Sequence, residues 1–114
     1  MAQMTKAFRD AWYLACTDGS YEQVRGELLD AADGKLRCCL GVAHAVAKKM
    51  GIVTSDTYFA NKDEEAYLTD EDQELIGIDN QRPFANANDE GEIKEGKYYP
   101  DEVLELIRTY PTVD

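Results

Sequence analysis

Cys38 and Cys39 stand at the head of the most apolar stretch of the chain, and the sole histidine, His44, follows five residues later. A helix N-terminus lowers a thiol pKa and an imidazole serves as a base, so this trio is the first candidate for nucleophilic chemistry. The spacing argues against it. Five residues along one helix separate two side chains by well over a quarter turn, and free cysteine packs most often as a small buried hydrophobe. Core packing is the expected role, and no residue is assigned as catalytic. A second candidate is Asn88-Asp89-Glu90 with Glu92, which offers oxygen ligands at the short spacing calcium or magnesium uses. The twelve-residue loop with its terminal glutamate does not fit, and a turn in which Asn88 and Asp89 bond their own backbone explains the same residues. With three cysteines, one histidine and no C-x-x-C pair, zinc is not expected. No metal or cofactor is assigned.

The remaining chemistry is recognition. Tyr21, Gln23, Arg25 and Arg37 lie on or beside a proposed hairpin, while Asn86, Asn88 and Asp89 lie in a proposed long loop. If hairpin and loop meet, they supply planar donors, amides and an aromatic face, which suit a nucleotide-like small molecule. The plainer reading is that Gln23 and Arg25 cap a helix end or bridge to surface carboxylates.

These groups need elements to hold them. Met4, Ala7, Phe8, Ala11, Trp12 and Ala15 give residues 4–17 one apolar helical face, closed by Asp18-Gly19. Residues 25–29 and 35–38 read as a short β-hairpin about Asp33-Gly34. Leu40, Ala43, Val46, Ala47 and Met50 mark a central buried helix over 39–50. Gly51 stops it, and Lys48 and Lys49 sit where the helix dipole favours cations. Residues 52–66 read as irregular, with a brief strand near 57–59. Thr69 reads as an N-cap, with Asp70, Glu71 and Asp72 in the first turn of a helix ending near Gly77. Residues 79–91, rich in Asn, Asp, Pro and Gly, read as loop, anchored by Pro83-Phe84. Pro100 opens a last helix through Tyr110, whose buried face is Val103, Leu104, Ile107 and Tyr110. The expected fold is one compact α+β domain over residues 1–114, three or four helices packed on a small antiparallel sheet. Tyr98-Tyr99 and Tyr110 suit either the edge of the core or the seam of a homo-oligomer.

Charge bounds the partners. Twenty-three acidic residues against twelve basic ones leave a net charge of −11, which repels phosphate backbones and anionic membranes, so neither direct nucleic-acid binding nor membrane binding is expected. The acids are spread along the chain, which favours solubility over imitation of a phosphate row. An odd number of cysteines, two of them adjacent, does not make a disulfide framework. The first ten residues lack the layout of a secretory signal, and the longest apolar run, 38–47, is interrupted by Gly41 and His44. A cytoplasmic protein is expected.

Several stretches together resemble a family of small bacteriophage and prophage proteins. They are Trp12; the run Gly19-Ser20-Tyr21-Glu22-Gln23-Val24-Arg25-Gly26-Glu27-Leu28; Arg37-Cys38-Cys39-Leu40-Gly41-Val42; Tyr67-Leu68-Thr69 with Ile76-Gly77-Ile78; Asn88-Asp89-Glu90-Gly91; and the helix around 103–107. The resemblance spans residues 12–107, and its most specific parts are the Cys-Cys-Leu-Gly-Val core segment and the Asn-Asp-x-Gly loop. It implies a phage accessory setting in the host cytoplasm and no particular reaction. Ala43-His44-Ala45 departs from the cysteine and aspartate that members more often carry there, so no role is carried over to those positions. The resulting expectation is a small acidic accessory protein that acts by stoichiometric binding, countering host defence by sequestering a nucleotide-like small molecule. The alternatives are an acidic inhibitor, in its sharper form a nucleic-acid mimic, that binds a basic host protein, and a small enzyme of unassigned reaction.

Overall fold

In the computed structural model the described residues are 3–24, 29–30, 33–55 and 67–113. Helix α1, Lys6–Thr17, begins two residues later than its apolar pattern suggests, because Thr5 caps it: the Phe8 N–H donates to Thr5 Oγ1 at 3.1 Å. It buries Phe8, Trp12 and Cys16, while Ala7 stays exposed. A short antiparallel ribbon follows, β1 (Leu29–Asp30) against β2 (Asp33–Arg37), with Leu29 opposite Arg37 and Asp30 opposite Asp33. Helix α2, Cys39–Lys49, is buried at every position from Cys39 to Ala47, the signature of a central helix packed on all sides. Helix α3, Asp70–Ile76, has the expected Thr69 cap and ends at Gly77 in the left-handed conformation (φ 93°). A Cβ on Gly77 would also meet the Met4 backbone nitrogen at 2.3 Å, so this turn lies directly against the chain entering α1. Helix α4 spans Arg82–Glu90, and α5 spans Asp101–Arg108, two residues short of the expected end.

Two expectations are corrected. The architecture is all-α, not α+β: among the described residues it is one compact domain of five helices. The ribbon is no layer on which helices pack, since β1 is two residues long and Asp33-Gly34, expected in the turn, belong to β2. Residues 25–28 of the expected hairpin and the strand expected near 57–59 lie outside the described residues. The second correction is the expected loop 79–91, most of which is helix α4. Its asparagines argued for loop, but Pro83 sits in the first turn, where a missing N–H costs nothing. Phe84, Ala85 and Asn88 then share a buried face that outweighs the weak helix propensity of asparagine. Phe84 does anchor the segment, 2 % exposed and 5.0 Å ring to ring from Trp12.

The core joins α1, α2, α4 and α5 around Trp12, with Phe8 and Phe84 on either side of it and Tyr110 beyond Phe84. The C-terminal segment is tied back to the start of the chain: Lys6 N–H donates to the Val113 carbonyl at 3.1 Å and Val113 N–H to the Met4 carbonyl at 2.9 Å. Among the described residues no helix is long and apolar enough to cross a membrane.

Candidate functional site

The N-terminus of α2 is where the chain's distinctive residues meet. The first N–H groups of a helix lack partners within it, and buried ones need acceptors from elsewhere. Asn88 of α4, fully buried, supplies one: its Oδ1 accepts from the Cys39 N–H at 3.0 Å. Its Nδ2 donates to the Val24 carbonyl at 3.0 Å and to Asp89 Oδ1 at 3.1 Å. Cys38 Sγ accepts from the Gly41 N–H at 3.4 Å and so acts as the N-cap. The Trp12 indole donates to the Cys39 carbonyl at 2.9 Å, the Cys39 thiol to the Phe84 carbonyl at 3.4 Å, and the buried Tyr99 hydroxyl to the Arg37 carbonyl at 2.6 Å. Residues 37–41 are thereby clamped from α1, from α4 and from the segment leading into α5.

This clamp fixes the chemistry of the cysteines. A helix N-terminus favours a thiolate, but burial outweighs it: desolvation pushes the Cys38 thiol up to about 12 against the lowering from the Gly41 and Leu40 N–H groups. Cys39 and Cys16 are pushed up by the same burial. The three cysteines are free, buried and un-ionised at neutral pH.

The residues expected to form a ligand site do not gather in one place. Gln23, Asn88 and Asp89 do come together, but through bonds among themselves: Gln23 Nε2 donates to the Asn88 carbonyl, and Asn88 to Asp89. Asn86 lies on the exposed face of α4, apart from that cluster. Arg25 lies outside the described residues. Tyr21 and Arg37 form a corner of their own. The Arg37 guanidinium carbon lies 5.6 Å from the centre of the Tyr21 ring, and its Nη1 is held by the Gly41 carbonyl at 3.2 Å. Lys49, exposed in the last turn of α2, places its Nζ 5.9 Å from the same ring centre. Both distances are within the range of cation–π attraction. The neighbouring Asp18 carboxyl is held below its usual range first by its bonds from Ser20 and last by Lys49.

Lys49 was not expected beside Tyr21, because a lysine at a helix C-terminus is already explained by the dipole and nothing in the sequence ties the two together. A second unforeseen grouping is His44, Ser55 and Asp72, linked across α2 and α3. Among the described residues, no three His, Cys, Asp or Glu side chains gather as a metal site would require. No protein-family model, curated protein or solved structure matches this chain.

Proposed function

We propose that the protein is a phage accessory protein that counters host defence by stoichiometric binding, sequestering a nucleotide-like anion at the corner formed by Tyr21, Arg37 and Lys49. The observation that carries this reading is the meeting of two cations on one aromatic ring in a chain of net charge −11. A protein with that overall charge repels anionic ligands, so a local pair of cations with one partner preset by the Gly41 carbonyl is the feature a phosphate-bearing ligand needs. The clamp beneath it holds residues 37–41 rigid, which lowers the ordering cost of binding. The phage setting rests on the sequence resemblance, and the cytoplasmic location belongs to the same proposal. Calorimetric titration of the purified protein with adenosine mono- and diphosphates and cyclic dinucleotides tests it. Saturable binding of at least one of them, lost in Lys49→Glu, is expected; no binding across that set overturns it.

A second reading has its own observation. An open groove of about 800 Å³ runs along α5, lined by Tyr13, Leu104 and Leu106, by the carboxylates of Asp101, Glu102 and Glu105, and by Lys97 and Arg108, which pair with Asp101 and Glu105. Such a surface suits a basic host protein that competes with Lys97 and Arg108 for those carboxylates, at an association rate that falls as salt screens them.

A further inference from the structure

His44 is 2 % exposed in the middle of α2, and Asp72 is 3 % exposed in the first turn of α3. Ser55, on the segment leaving α2, stands between them: its hydroxyl donates to Asp72 Oδ2 at 2.6 Å and lies 3.0 Å from His44 Nε2. Because the Ser55 proton goes to the carboxylate, the Ser55 oxygen accepts from His44 Nε2–H, and the direct His44–Asp72 separation is 3.7 Å. We infer that this buried His44–Ser55–Asp72 chain is an acid-released latch that holds α3 against the central helix.

Three observations support it. First, among the described residues α3 is the helix least packed against the other four, and the α1, α2, α4 and α5 pairs carry the body of the core. Its own attachments are few: Ile76 in the core, the Gly77 turn against Met4, and, beside it, Gln81 paired with both the N–H and the carbonyl of Leu68. A polar tie of this kind therefore matters more to α3 than to any other helix. Second, Asp72 occupies the position at which a capping box would turn its carboxylate back toward Thr69. Here the Asp72 N–H donates to Thr69 Oγ1 while the carboxylate points inward to Ser55. Third, burial opposes the protonation of His44 more than anything around it favours it. Next in size comes the Asp72 carboxylate of α3, which favours the imidazolium; Arg37 before α2 and Lys48 of α2 disfavour it, and a bond to the Ser55 backbone favours it, and the imidazole is held below its ordinary value of 6.5.

The sign follows from linkage. With a folded-state pKa below that of the unfolded chain, the unfolded state binds the proton more readily. The latch is fully effective above pH 6.5 and weakens as pH falls through that value toward the folded pKa. The weakening appears first where the chain attaches α3.

The chain has one histidine, so its imidazole resonances identify themselves. The experiment follows them by NMR from pH 8 to pH 4.5 and measures amide protection factors of residues 73–77 relative to α1. The expected result is an imidazole that titrates below 6.5, with a several-fold loss of α3 protection over the same range while α1 keeps its own. Titration at or above 6.5, or α3 protection that does not change with pH, overturns the inference. In His44→Gln, which keeps a side-chain N–H at that position without titrating, α3 protection is expected to be independent of pH. Persistence of the wild-type pH dependence in that variant overturns it equally, and the wild-type titration decides alone if the variant does not fold.

Discussion

Asn88 shows how one buried amide joins two helices and the segment before them. Both ends of its amide are used, on the Cys39 N–H and the Val24 carbonyl, in a position with no access to water. Asn88→Ala leaves those buried partners unmet, each at about 1–3 kcal/mol, and the expected loss of stability is about 3 kcal/mol, read as a shift in the urea midpoint at unchanged slope. The cysteines carry a second expectation at this scale. With Cys38 pushed up to about 12 and all three thiols buried, iodoacetamide at pH 8 should label none of them in the folded protein and all of them in urea, as mass spectrometry of the intact chain will show. Labelling of native Cys38 or Cys39 at the rate of an ordinary exposed thiol would contradict the clamp. The sequence supported the packing role of the thiols, since adjacency and apolar neighbours are visible in it. It did not disclose the role of Asn88, because an amide looks the same whether it turns a loop or bridges two helices forty-nine residues apart in sequence.

Helix α4 is the element that sequence reading lost, and the reason is physical. Propensity counts what asparagine, proline and glycine do in an isolated peptide, whereas α4 is held by Phe84, Ala85 and Asn88 facing the core. The end of α4 is equally tertiary. Gly91 has an ordinary φ of −72°, yet a Cβ there would fall 2.5 Å from Pro100 Cβ and 2.6 Å from the Ala87 carbonyl oxygen. Gly91→Ala should therefore cost about 1–3 kcal/mol through this close approach alone, measurable by thermal denaturation. Wild-type stability in that variant would show that the α4–α5 junction yields more easily than its geometry indicates. The elements that were legible carried their signals locally: the Thr69 cap with its acidic first turn, the glycine stop of α3, Pro100 ahead of α5, and the period of α2. The sheet was misjudged because Asp33-Gly34 reads as a tight turn, whereas both residues extend into β2.

For the whole molecule, charge and clamp act together. A net charge of −11 repels anions at long range, while Arg37 and Lys49 place two cations beside Tyr21. Of the residues expected to form a site, Tyr21 and Arg37 lie together, Gln23, Asn88 and Asp89 are bonded to one another, and Lys49 stands beside the Tyr21 ring unforeseen. Only convergence in space shows this, and a sequence does not display it. Native mass spectrometry of the protein isolated from lysate of infected host cells tests the proposed function most directly. The sequestering reading predicts a retained small molecule of nucleotide mass in the wild type and its absence in Lys49→Glu. A wild-type protein that emerges bound to a basic host protein and to no small molecule would contradict it and favour the second reading, the groove along α5.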